Sequence, residues 1–226
     1  MKKNLSTKKL VGLASLAALV VVLQLLSNYI QFGPVSITLA LIPMVVGAVL
    51  YGPTAGFGLG ALMGIIILTA PSTSLFLNYN LPGTIILCIL KTGLAGLASG
   101  WVYKGLIRVN VLGKAKFPVA IITATLVAPI INTGLFILGT AVLFQGLGFK
   151  NEAGEFVELV PSAGGFGKAF SAAVGFVVFT NFIVEFAVSV VLSPSIVYLF
   201  KILGEKYDLG FAKDFKNYSN LSLNKD

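Results

Sequence analysis

TIILCILKTGLAGLASGW (residues 84–101) and VGFVVFTNFIVEFAVSVVL (residues 174–192) are long apolar stretches, and each has a single charged residue near its middle, Lys91 and Glu185. Stretches of this length and character read as membrane-spanning helices. A charge at mid-bilayer costs at least about 2.5–3.5 kcal/mol on insertion scales, so it comes with a partner, a water-filled cavity or a task. The two charges fall at similar depth in their spans. They mark a polar pocket inside a helical bundle.

The whole chain agrees with that reading. Its 226 residues are 57% hydrophobic and only 11% charged, with mean hydropathy +0.96. A soluble domain carries about 25% charged residues. The expected fold is therefore an all-α membrane protein, and the pattern is not the alternation of a membrane barrel. The net charge of +8 is not a nucleic-acid footprint, because the basic residues flank the apolar spans. There is one cysteine, Cys88, so no intrachain disulfide forms, and there is no histidine to shuttle protons or hold a metal.

Six apolar segments are expected to form a six-transmembrane-helix bundle: Leu10–Ile30, Val35–Leu50, Thr54–Ala70, Leu81–Tyr103, Phe117–Phe144 and Phe170–Phe200. The second and third are short and joined by a tight Tyr51-Gly52-Pro53 turn. The last two are long, with Pro129 and Pro194 as kink positions. MKKNLSTKK and the long apolar run behind it read as a first transmembrane helix, not a signal peptide. Thirteen of the 16 Lys and Arg fall on one side of this topology, only Lys150 and Lys168 on the other, and Lys91 within the membrane. The asymmetry predicts cytoplasmic N- and C-termini. The chain then divides into a basic N-terminus (1–9), a transmembrane domain (10–203) and a polar tail (204–226). The outer loops would be SNYIQFGPVS (27–36), PSTSLFLNYN (71–80) and KNEAGEFVELVPSAGGFGK (150–168), suited either to binding a small polar molecule or to serving as solvated connectors.

At about 1.5 Å rise per residue, Lys91, Asn132, Asn181 and Glu185 converge between the outer half and the midplane, with Asn78, Tyr79 and Asn80 above them. Asn181 and Glu185 are four apart and share a helix face. Two arrangements satisfy this pattern. In one, these residues line a ligand cavity; in the other, Lys91 and Glu185 form a structural ion pair and the asparagines join helices. Gly56, Gly60 and Gly64, Gly96 and Gly100, and Ala14 and Ala18 are small residues spaced at four, which lets helices approach closely. No P-loop, HExxH or cysteine cluster is present, and GGFGK at 164–168 is not a nucleotide motif. Without histidine, Glu185 with Lys91 is the sole candidate dyad for chemistry, so an enzyme is not expected and no catalytic or metal residues are assigned.

The Ala14/Ala18 pair, the stretch ITLALIPMVVGAVLYGPTAGFGLGALMGIIIL (37–68) and LKTGLAGLASGWVYK (90–104) together resemble the substrate-binding S component of an energy-coupling factor (ECF) vitamin transporter. The resemblance covers nearly all of residues 8–203 and is closest to the pantothenate-type branch. It implies a multi-pass protein of the bacterial plasma membrane that binds a vitamin from outside. It further implies partners: a transmembrane coupling subunit, docked on Ala14 and Ala18, and two ATPase subunits that use the ATP, so that this chain needs no cofactor of its own. Lys91 would suit a carboxylate ligand and Asn132 and Asn181 its hydroxyls and amide. Folate, riboflavin and hydroxymethylpyrimidine remain alternative ligands, and a self-sufficient secondary carrier the alternative class.

Overall fold

The computed structural model describes residues 7–29, 31–32, 35–36, 38–109, 116–150, 154–177 and 182–206. In chain order these form α1 (Thr7–Ser27), the hairpin β1 (Gln31–Phe32) and β2 (Val35–Ser36), α2 (Leu41–Tyr51), α3 (Pro53–Ile67), a 3-10 turn (Pro71–Thr73) and α4 (Ser74–Tyr79). There follow α5 (Leu81–Arg108), α6 (Lys116–Leu143), the hairpin β3 (Gly148–Lys150) and β4 (Phe156–Glu158), α7 (Gly165–Val177) and α8 (Ile183–Lys206). Both hairpins are antiparallel, with Gln31 opposite Ser36 and Phe149 opposite Val157.

Among the described residues α1, α5 and α6 are long and apolar enough to cross a bilayer. α3 and the helical turns after it make a fourth candidate, bent by 79° at the break, whereas α2 and the apolar part of α8 are shorter. The helices differ from the six expected segments for local reasons that hydropathy does not register. The second segment opens as strand β2, and its helix starts only at Leu41. Gly52, at φ 99°, ends α2 in a conformation that only glycine adopts freely, and Pro53 then begins α3 at a position where its missing N–H costs nothing. Residues 74–79, expected as loop, form α4, which turns Phe76 inward. The stretch expected as the third outer loop contains strand β4 and the end of β3. Of the sixth segment, residues 170–177 belong to α7 and 183–200 to α8, and residues 178–181 between them lie outside the described residues. The basic N-terminus before Thr7 and the tail after Lys206 lie outside the described residues, and α8 itself runs past the expected domain boundary at 203.

Glycine sets the spacing of α3 and α5. A Cβ built on Gly56 would lie 2.5 Å from the Gly96 carbonyl oxygen, one on Gly64 would lie 2.5 Å from that of Cys88, and one on Gly60 would collide with that of Thr92. Gly100 faces the Pro53 Cα at 2.6 Å in the same sense. The pairings fall four residues apart along both chains in opposite directions, so α3 and α5 are antiparallel with their backbones in direct contact. The same logic places α6 against α5: Leu87 lies over Gly139, and Asn80, just before α5, bonds the last residue of α6. α2 returns antiparallel to α1, with Tyr51 beside Gly12 at one end and Leu39 bonded to Ser27 at the other.

This topology gathers Lys9, Lys104, Arg108 and Lys116 at one end of the bundle. The main apolar core lies among α1, α2, α3, α5 and α6 around Met44, Met63, Phe117 and Ile121. A second cluster closes the opposite end, where Phe76, Phe144, Leu147 and Val160 pack α4, α6 and the third loop onto α7. The seam predicts that Gly60→Val, which puts side chain into the Thr92 carbonyl, destabilises the protein by about 1–3 kcal/mol or more. The measurement is thermal unfolding in detergent with Gly58→Val as control, since a Cβ on Gly58 meets nothing within 4 Å.

Candidate functional site

Lys91 is the eleventh residue of α5, and its side chain is buried. The helix enters the bundle through a well-formed N-cap, in which Asn80 Oδ1 accepts from the Gly83 N–H at 3.0 Å and Pro82 occupies the first turn. From that start Lys91 projects toward α6. Its Nζ lies 4.3 Å from the centroid of the Phe136 ring. An ammonium over an aromatic face is attracted by the ring quadrupole, by about 2 kcal/mol when desolvated. Phe136 in turn meets Phe76 of α4 at 5.5 Å between centroids, and Phe76 meets Phe144 edge-on at 5.3 Å. The cation therefore sits at one border of an aromatic cluster built from α4 and α6. Among the described residues no carboxylate is in ion-pair contact with Lys91.

Asn132 lies one turn from Phe136 on the same face of α6. It is 2% exposed, and its Oδ1 has no hydrogen-bond partner among the described residues. Such an oxygen is costly to bury. Lys91 and Asn132 are thus brought to a common level: they lie ten and eleven residues from the ends of α5 and α6 that Asn80 joins.

Glu185 has different neighbours. It is 2% exposed in the first turn of α8, and its Oε1 accepts from the Thr38 N–H at 3.0 Å. Ser27 Oγ accepts from the next amide, Leu39, also at 3.0 Å. Thr38 and Leu39 lead into α2, whose N-cap residue, Ala40, supplies no side-chain hydrogen bond. Residues of α1 and α8 thus satisfy the two amides that precede the α2 N-cap, and the partial positive charge at the start of α2 favours a carboxylate there. Glu185 rests on the Thr38 amide, and Lys91 on the Phe136 ring.

The outer-loop trio divides. Asn78 is exposed. The Tyr79 hydroxyl donates to the Gln145 carbonyl, its ring lies 6.2 Å from that of Phe144, and Asn80 Nδ2 donates to the Leu143 carbonyl at 3.2 Å. Tyr79 and Asn80 therefore fasten α4 and the start of α5 to the end of α6. Asn181 lies outside the described residues. Ala14 and Ala18 are both on the exposed face of α1, with Val11 and Val22 beside them, while Val20 on the other face is buried. Reading the sequence for polar residues overlooked Phe136 and Phe76, since phenylalanine in an apolar span is usually core. The available signal was the four-residue spacing of Asn132 and Phe136. The tie at Thr38 uses a backbone amide and has no sequence signature.

The family model for the ECF transporter substrate-specific component matches residues 8–197. This chain belongs to that family. It is a helical, multi-pass membrane protein of the class that supplies substrate recognition to an ECF module of membrane and ATPase subunits. No curated protein and no solved structure matches it.

The Glu185 tie generates a direct expectation. Glu185→Gln retains an oxygen for the Thr38 N–H and stays close to the parent in stability. Glu185→Leu leaves that amide unpaired and lowers stability by about 1–3 kcal/mol. Unfolding of the two variants by heat, compared with the parent, checks the difference.

Proposed function

We propose that this chain captures a small carboxylate-bearing micronutrient, pantothenate foremost, outside the cell. It would deliver the ligand inward together with a transmembrane coupling subunit and two ATPase subunits. The observation that carries this reading is the Lys91 ammonium: buried, resting on Phe136, and without a carboxylate partner among the described residues. A ligand carboxylate supplies the missing counter-charge, and a charge-assisted contact contributes about 1.5–3 kcal/mol. The unpartnered Asn132 Oδ1 near the same level suits a hydroxyl or amide donor of the same ligand.

In this reading the basic end of the bundle faces the cytoplasm, six crossings return the chain to that side, and α4 with the β3–β4 hairpin lies outside. The Ala14/Ala18 face of α1 meets the coupling subunit, because small exposed residues at helical spacing admit a partner helix closely. ATP is used by the partner subunits.

Lys91→Met keeps the stem and removes the charge. It is expected to weaken pantothenate binding more than tenfold by calorimetry on the purified, monodisperse protein; an unchanged dissociation constant would assign Lys91 to structure alone. Ala14→Trp is expected to abolish uptake in cells carrying the ECF module while leaving binding by the isolated chain intact. Loss of both would make α1 a folding element.

A further inference from the structure

Buried hydroxyls on the described helices mostly follow one habit. Thr84, Thr92, Ser99 and Thr125 each donate to the carbonyl four residues earlier, at 2.8, 2.8, 2.9 and 2.9 Å. This back-bond is the ordinary way to hide a hydroxyl in an apolar helix. Thr133 and Thr140 depart from it. They are 4% and 2% exposed, and neither Oγ1 has a hydrogen-bond partner among the described residues. They are seven residues apart on α6 and so share a face, with Phe136 between them at three and four residues. Asn132, whose Oδ1 is also unpartnered, lies one turn before Phe136. Three buried oxygens without partners therefore follow one side of α6 over nine residues, about 12 Å of helix. Against the middle of that strip rests the Lys91 ammonium, 4.3 Å from the Phe136 centroid. Each such oxygen opposes folding, and back-bonding would have been available to both threonines; their shared departure from it marks a surface set toward a polar ligand.

We propose that Thr133 and Thr140 are specificity-determining contacts for the ligand. With Asn132 they form a strip that hydrogen-bonds the hydroxyl and amide groups of an acid whose carboxylate is held by Lys91. The inference rests on the binding function proposed above and deepens it. The ligand class is an elongated acid, up to about 12 Å long, with hydrogen-bonding groups distributed along its length. Its apolar segments pass over Phe136.

The test replaces each hydroxyl by a methyl group, Thr133→Val and Thr140→Val. Thr133→Ser serves as the variant that keeps the hydroxyl, and Thr125→Val as a control whose hydroxyl is already satisfied. Two quantities are read on the purified full chain in detergent: affinity for pantothenate by calorimetry, and melting temperature without ligand. Each Thr→Val change on the strip is expected to weaken pantothenate binding roughly tenfold, with Thr133→Ser and Thr125→Val near the parent. The ligand-free melting temperature of the two strip variants stays level or rises, because an unpartnered buried hydroxyl has been removed. If the parent binds pantothenate and both strip variants bind it equally well, the strip is overturned and the binding function stands. A lowered ligand-free melting temperature also overturns it, since the hydroxyls would then be structural. If the parent does not bind pantothenate while both strip variants melt higher, the strip is supported and the choice of pantothenate falls.

Discussion

Backbone contact between α3 and α5 is the constraint on which the remaining arrangement depends. Helices normally pack at 8–10 Å with side chains between them. Here Gly56, Gly60 and Gly64 bring the α3 backbone onto the carbonyls of Gly96, Thr92 and Cys88. Within a bilayer there is no hydrophobic drive to pull helices together, so close van der Waals packing of small residues carries much of the association. The seam fixes the rotation of α5. Thr92 lies against α3, and its neighbour Lys91 points toward Phe136 on α6. A residue that could not be left facing lipid is thereby committed to the bundle interior.

The second constraint is the cost of polar groups away from water. The described residues meet it in two ways. Some groups bond one another: Gln24 Nε2 donates to Asn28 Oδ1 at 3.0 Å, Asn28 Nδ2 reaches Thr69 Oγ1 at 3.2 Å, and Glu185 and Ser27 take up the amides before α2, while Gln24 Oε1 has no hydrogen-bond partner among the described residues. Others, on the α5–α6 side, are left available: the ammonium of Lys91 and the oxygens of Asn132, Thr133 and Thr140. The first set lies at the end of α1 away from Lys9, and the second, on α5 and α6, is the one the proposed function uses. The contrast also divides the two membrane-embedded charges. Glu185 accepts from the Thr38 amide ahead of α2, whereas Lys91 lies beside an aromatic wall.

Much of this was legible in the residues. Hydropathy and charge placement gave a helical membrane protein and a basic end, and small residues at four-residue spacing correctly marked the α3–α5 seam. Counting along the helices put Lys91 and Asn132 near one level, and they lie ten and eleven residues from the joined ends of α5 and α6. The start of the second segment was not legible, because an apolar run looks alike whether it is strand or helix. The contact of Glu185 with Thr38 could not be read, because it is made to a main-chain amide 147 residues away that any residue but proline would offer. Asn80 and Tyr79 carried the composition of a binding loop, but they are occupied in joining α4 and α5 to α6. Thr133 and Thr140 were silent for the opposite reason. Threonine in an apolar helix ordinarily bonds its own backbone, and only the three-dimensional arrangement shows that these two do not.

Native mass spectrometry of the full chain, purified in detergent from cells grown in rich medium, tests most directly whether the interior around Lys91 is a ligand site. The account predicts a co-purified small acid, pantothenate or a compound of the same class, that is lost in Lys91→Met. A protein that carries no small molecule and also fails to bind pantothenate, folate, riboflavin or hydroxymethylpyrimidine when these are added would contradict it.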